Sequence, residues 1–142
     1  MYAQLSRRNG FTIVEVLVVI LLISLLAVLL VPRFIETVPE AKRKIAKAQI
    51  ATVEQLLSQF MIHCGRYPTQ AEGLNALRTA PAGLGEKWKG PYGKESDLKD
   101  PWGNPFAYKK PGSKNPNSFD IISYGTDGQQ GGEGDNADIF ND

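Results

Sequence analysis

FTIVEVLVVILLISLLAVLLVP, residues 11–32, is the stretch whose reading decides the rest. Phe11 to Val31 is 21 residues with one charge, Glu15, and from Val16 to Val31 the only polar residue is Ser24. A helix of that length spans roughly 31 Å, the hydrocarbon thickness of a bilayer. The preceding decapeptide MYAQLSRRNG carries Arg7 and Arg8, which by the positive-inside rule put the N-terminus in the cytoplasm. A secretory signal peptide has a shorter apolar stretch followed by a small-residue cleavage site. Here the run is longer and leads into Val31-Pro32-Arg33. Glu15 then needs a partner, since an acid at the centre of a membrane helix costs about 2.5–3.5 kcal/mol, less near the surface. The span holds no lysine or arginine. A cut after Gly10 creates a cation, the α-amine of Phe11, four residues from Glu15. Its pKa of about 7.7–8.0 leaves it mostly protonated at neutral pH. Paired with Glu15 of its own or a neighbouring chain, it selects one register of subunits over others.

The remaining composition narrows the function. The chain has 142 residues, enough for one domain and an anchor, and a net charge of +1 that argues against nucleic acid as a partner. Its one cysteine, Cys64, excludes an intrachain disulfide. Cys64 adjoins the one histidine, His63, and no second His or Cys exists to complete a metal site or a nucleophile–base pair. The pair is read as the end of a long helix, and the chain as a non-enzyme.

Pro32 removes a backbone donor and predicts a kink or local opening at 28–34. Beyond it Ile35, Val38, Ile45, Ala48, Val53, Leu56, Leu57 and Phe60 recur at helical steps and predict a buried stripe. Lys42, Arg43, Lys44 and Lys47 read as a solvated face, or as a contact for anionic headgroups or acidic neighbours. Thr69-Gln70-Ala71-Glu72 is a capping box before a short helix that ends ahead of Pro81. Residues 81–104, rich in Pro, Gly and Lys, read as loop. Phe106–Tyr108 and Ser118–Tyr124 read as strands, with a third near the C-terminus. The fold class is α+β, a long helix on a small antiparallel sheet.

From Gly125 to Asp138 the chain reads GTDGQQGGEGDNAD. Hard oxygen donors on a glycine-rich turn suit Ca²⁺, but neither the EF-hand nor the β-helix nonapeptide pattern fits. Taken alone, these residues are a calcium loop or a solvated acidic loop.

Arg7-Arg8-Asn9-Gly10-Phe11-Thr12-Ile13-Val14-Glu15, with Pro32 at the 22nd position after the cut, resembles the type IV prepilin signature. Arg66-Tyr67-Pro68-Thr69, Glu72-Gly73-Leu74, Asp100-Pro101-Trp102-Gly103-Asn104-Pro105 and Ser123-Tyr124-Gly125-Thr126-Asp127-Gly128 are similar to the major pseudopilins of type II secretion systems. The likeness runs through nearly the whole chain. Its departure is the ending Ile139-Phe140-Asn141-Asp142, where the family often has an Asn-Trp pair.

The resemblance implies a prepilin leader at 1–10, a transmembrane and filament-core helix at 11–32, and a periplasmic amphipathic helix and globular domain at 33–142. It implies cleavage between Gly10 and Phe11 by a prepilin peptidase that also methylates the Phe11 amine, and a contact of Glu15 with a neighbour's amine. It implies one Ca²⁺ held by Asp127, Asp135, Asp138 and the carbonyl of Tyr124; Glu133 is left unassigned. It implies a single-pass inner-membrane subunit that joins a helical filament of its own copies, with minor pseudopilins and an inner-membrane assembly platform as partners. That filament helps drive folded proteins across the outer membrane. The alternative is a type IV pilin of a surface fibre, although many of those rely on a C-terminal disulfide that one cysteine cannot form.

Overall fold

The computed structural model describes residues 10–141, with residues 29–38 in backbone only. The chain forms two compact units, Met1–Val38 and Pro39–Asp142. One helix, α1 (Ile13–Cys64), contributes to both. The helix runs on through Pro32 and Pro39, and the kink or local opening expected at 28–34 does not interrupt it. Within the first unit, Thr12 and Glu15 cap the helix start, and the Ser24 hydroxyl bonds back to the Ile20 carbonyl at 2.8 Å. Among the described residues no helix is long and apolar enough to cross a membrane. The helical part of the apolar run with described side chains, Ile13 to Val28, is shorter than the roughly 20 residues a span requires.

The second unit is built on one face of α1. Ala46, Ile50, Val53, Leu57, Phe60 and Cys64 are buried at steps of three and four, as a helix stripe requires. Ile35 and Val38 of the expected stripe lie outside the described side chains; among the described ones it differs from the sequence expectation at two positions. Ile45 is 50 % exposed and Ala48 is exposed, because the core-facing line runs through Ala46 and Ile50 instead. The helix ends as the His63-Cys64 reading expects. Gly65 takes φ 75° and its N–H bonds the Met61 carbonyl at 2.8 Å, a left-handed cap that favours glycine.

Three short strands pack on this stripe: β1 (Ala107–Lys109), β2 (Asp120–Ser123) and β3 (Ile139–Phe140), antiparallel in the order β1-β2-β3. Tyr108 pairs with Ile121 and Ser123 with Ile139, and all four side chains are buried. Phe119 completes this part of the core, its ring centroid 4.8 Å from that of Tyr67 and 5.7 Å from that of Tyr108. On the outer edge of β1, Gln70 takes the place of a strand. Its side-chain amide donates to the Tyr108 carbonyl at 3.0 Å and its oxygen accepts the Lys110 N–H at 2.7 Å.

The Thr69–Glu72 capping box forms, with Thr69 N–H on Glu72 at 2.8 Å and Glu72 N–H on Thr69 Oγ1 at 3.3 Å. The helix after it is 3₁₀, Gly73–Leu77, rather than α. Residues 81–104 are loop with two 3₁₀ turns, Gly85–Lys87 and Glu95–Leu98. They are fastened by Trp88 Nε1 on the Ala76 carbonyl and Tyr92 N–H on the Leu77 carbonyl, both 2.8 Å.

Arg66 grips Glu72 with two bonds of 2.7 Å. This guanidinium, helped by the Thr69 N–H and against the cost of partial burial, holds the Glu72 carboxyl at about 2. The pair is partly exposed, so water discounts its strength.

Two outcomes follow from this packing. In urea unfolding of the detergent-solubilised chain, Leu57→Ala is expected to cost about 2–5 kcal/mol and Ile45→Ala no more than about 0.5. The reverse ranking would restore the stripe read from sequence. Glu72→Gln is expected to cost about 1–2 kcal/mol at neutral pH. A carboxyl whose folded pKa lies below its unfolded one stabilises above the unfolded value and ceases to as pH falls through the folded one. The gap between wild type and Glu72→Gln should thus narrow from the ordinary 4.5 down to about 2 and close below it. A gap that persists unchanged at pH about 2 would mean that the ion pair is not its source.

Candidate functional site

Two regions carry the functional residues expected from the sequence. Each lies within one unit.

At the N-terminus, Gly10 and Phe11 are exposed, Phe11 at 83 %. Positions 1–9 of the expected leader lie outside the described residues. Glu15 is engaged within its own chain: its Oε2 accepts the Thr12 N–H at 3.0 Å and the Thr12 hydroxyl at 3.1 Å, while its N–H donates to Thr12 Oγ1 at 3.2 Å. This is a capping box, and it satisfies backbone donors that the helix start leaves open. Its signal, Thr followed three residues later by Glu, stands in the sequence at Thr12 and Glu15, where the charge of Glu15 masks it. An ionised carboxylate has about four acceptor sites, so Glu15 retains capacity for a further donor.

The C-terminal loop begins where two conformational rules meet. Asp100, buried, accepts the Trp102 N–H at 3.0 Å and the Asn104 N–H at 2.9 Å on one oxygen, and the Ser123 hydroxyl at 2.6 Å on the other. This folds Asp100–Pro105 into a tight turn that puts the Asn104 amide on the Gly125 carbonyl at 3.1 Å. Gly125 (φ 66°) and Gly132 (φ 86°) then let the chain turn back on itself. A Cβ at either would stand 2.7 Å from a main-chain oxygen, that of Asp135 or Asn136 respectively. Thr126 closes the loop, its N–H and hydroxyl both on the Asp135 carbonyl at 3.1 Å.

Two of the expected metal ligands have a local role here. Asp127 Oδ1 accepts the Gln129 N–H at 3.1 Å, and both Asp138 oxygens accept the Gly131 N–H at 3.0 Å. Asp135 is exposed, and Tyr124 is half-buried at the end of β2. Among the described residues no three His, Cys, Asp or Glu side chains stand together as a metal-holding group, so Asp127, Asp135 and Asp138 do not converge as a carboxylate triad. The donor chemistry nonetheless fits calcium. Every candidate is a hard oxygen, and the six to eight ligands Ca²⁺ takes include carbonyls and water as readily as carboxylates.

Arg43 is the residue of this region that sequence reading placed elsewhere. It is half-buried, and its Nη1 donates to the carbonyls of Gly134 and Ala137, both at 3.0 Å. Nearby Lys42 sits 6.0 Å from the Trp102 ring centroid, and Lys114 stands 4.0 Å over the Phe140 ring. Asp120 organises the adjoining turn. Burial works to raise its carboxyl, and the amides of Lys114, Ser113 and Asn115 outweigh that and hold it below the ordinary range. His63 and Cys64 contact Tyr92: His63 Nδ1 is 3.1 Å and the buried Cys64 sulfur 4.0 Å from its hydroxyl. These contacts pack the helix end.

A family model described as type II secretion system protein G matches residues 33–142, and one for the prokaryotic N-terminal methylation motif matches residues 5–31. Type II secretion system core protein G of Pseudomonas aeruginosa is 38 % identical, over 97 % of each chain. That of Vibrio cholerae is 36 % identical, over 97 % of this chain and 94 % of its own. A crystal structure of the major pseudopilin from the type 2 secretion system of enterohaemorrhagic Escherichia coli matches with a TM-score of 0.57 at 31 % identity, covering 72 % of this chain and 87 % of that one.

Proposed function

Since this chain belongs to the type II secretion system protein G family, the major pseudopilins, we propose a mechanical working cycle for it, with no catalytic step. The chain is a structural subunit of the pseudopilus, and it is membrane-associated. The match to protein G over residues 33–142 favours this over the pilin of a surface fibre, which shares only the N-terminal motif.

In the proposed cycle the subunit first sits in the inner membrane as a single-pass protein, with the domain from 33 onward in the periplasm. A prepilin peptidase cuts between Gly10 and Phe11 and methylates the new amine. An inner-membrane assembly platform then moves the subunit into a helical filament of its own copies, with minor pseudopilins as further partners. Growth of that filament helps move folded proteins across the outer membrane. The observation that carries this reading is the surface of α1 in the first unit. Every large apolar side chain from Phe11 to Val28 is 46–83 % exposed, so this surface has no intrachain cover among the described residues. An apolar surface of that extent calls for lipid or another apolar helix around it.

Glu15 is the proposed register determinant. Its carboxylate holds Thr12 within the chain and offers its remaining lone pairs to a neighbour's Phe11 amine. Glu15→Gln keeps the side-chain oxygen that caps the helix and removes the charge. It is expected to leave membrane insertion and cleavage intact, as read by the mass of the mature chain, and to abolish filament cross-linking in the cell envelope. Filaments of Glu15→Gln at wild-type yield would sink the charge-pair role.

Calcium is proposed as a structural ligand of the C-terminal loop. Asp127, Asp135 and Asp138, with the Tyr124 carbonyl, would hold it, and its charge would offset the mutual repulsion of the carboxylates. The support is the all-oxygen donor set on a loop whose glycines turn its backbone sharply. An ion bound only by the folded chain raises the melting temperature by mass action. The full chain in detergent should melt several degrees higher with excess Ca²⁺ than with chelator, and Asp135→Ala with Asp138→Ala should erase the difference. Equal melting in both conditions would make this an acidic loop without a metal.

A further inference from the structure

The helix stripe explains how α1 meets the sheet, but it leaves unexplained how a glycine-rich loop bearing four acids stays against the helix. The fourteen residues from Gly125 to Asp138 offer almost no apolar surface to bury. Their own hydrogen bonds, from Thr126 to Asp135 and from Gly131 to Asp138, close the loop without joining it to α1. The Asn104 amide joins it to the turn at Asp100. Among the described hydrogen bonds, those from α1 to this segment come from one residue, Arg43.

The geometry of that contact is specific. The carbonyls of Gly134 and Ala137 flank the short 3₁₀ turn Gly134–Asn136 and converge on one nitrogen, Arg43 Nη1, at 3.0 Å each. Two carbonyls aimed at a single point are what a small cation requires. Here the positive charge is part of the chain. A guanidinium is permanently charged and presents its donors in a rigid plane, whereas a lysine ammonium is a mobile, strongly hydrated point charge. Bonds from a charged donor are also stronger than those between neutral groups.

We infer that Arg43 is a built-in cationic clasp, which docks the C-terminal loop on α1 through the Gly134 and Ala137 carbonyls whether or not a divalent ion is bound. A corollary rests on the calcium reading above. Because the Arg43 guanidinium already sets a positive charge against the Gly134 and Ala137 carbonyls, an ion in this loop draws its main-chain ligands from elsewhere, such as Tyr124. Arg43 is then a positioning residue, holding Asp135 and Asp138 near their binding arrangement without touching the metal.

The test is amide hydrogen exchange on the full chain in detergent micelles, with chelator and with Ca²⁺, for wild type, Arg43→Gln and Arg43→Lys. The reporters are the Asn136 and Ala137 amides, bonded to Glu133 and Gly134, and the Thr126 amide, bonded to Asp135. The controls are the Val53 and Leu57 amides inside α1. In chelator, Arg43→Gln should speed exchange of the reporters about ten- to a hundredfold and leave the controls unchanged. Arg43→Lys, with charge but without the fork, should fall between. Unchanged reporters in Arg43→Gln overturn the inference. If Arg43→Gln also speeds the controls, Arg43→Lys decides: reporters faster than controls support the clasp, and reporters moving in step with controls overturn it. A wild type indifferent to Ca²⁺ removes the calcium reading and the corollary with it, while the chelator comparison still judges the clasp.

Discussion

Strands of three, four and two residues do not form a sheet in water by their own hydrogen bonds. They need an apolar surface to lie on, and α1 supplies it as the line Ala46, Ile50, Val53, Leu57 and Phe60, each at most 2 % exposed. The rest of the second unit is arranged against that line. Leu74 and Leu77 cover it from the 3₁₀ turn, Phe106 and Phe119 from the approaches to β1 and β2, and Ile121 and Ile139 from the sheet itself. The short strands also set a limit. Regular pairing secures few backbone groups, so side chains must organise the connections.

Carboxylates do much of this organising, and each does it by gathering amides. Asp100 folds the Pro-Trp-Gly-Asn turn and reaches Ser123 at the end of β2. Asp120 receives three consecutive amides, those of Ser113, Lys114 and Asn115. Glu72 closes the capping box and holds Arg66. For Asp120 and Glu72 these donors hold the carboxyl below its ordinary range despite the cost of leaving water. Fixed charge and fixed loops thus come from the same residues, and the turn at Asp100 delivers the chain to the acidic C-terminal loop in one orientation.

Much of this was legible in the sequence where the signal was periodic or punctuated. The end of α1 at His63-Cys64, the capping box at Thr69, all three strand regions and the α+β class follow from such patterns. The register of the helix stripe was less so. Ile45 and Ala48 are apolar one helical step of three apart, as Ala46 and Ile50 are one step of four apart, and apolarity alone does not choose between adjacent lines. The real line is set by what the sheet presents to it. Arg43 was read with its lysine neighbours because composition ranks them alike, and its carbonyl partners lie 91 and 94 residues away. Glu15 is legible as an anomaly, but a lone acid in an apolar run points to a cation and not to the hydroxyl of Thr12. For the acidic loop, spacing conveys donor chemistry only. Convergence of ligands is a property of backbone turns that several glycines leave open.

A pseudopilus holds many copies of one domain at a local concentration far above that of free proteins, and each copy brings a three-stranded sheet with an open side. Bare strand edges at such density invite sheet-to-sheet growth, the route by which repetitive β-proteins turn into insoluble aggregates. Gln70 occupies both the carbonyl of Tyr108 and the amide of Lys110, the groups an incoming strand would seek. One primary amide imitates a peptide unit and leaves a would-be template without free valence at those positions. Strand addition is thereby disfavoured along the outer edge of β1, where a subunit made for stacking would otherwise offer a second way to stack.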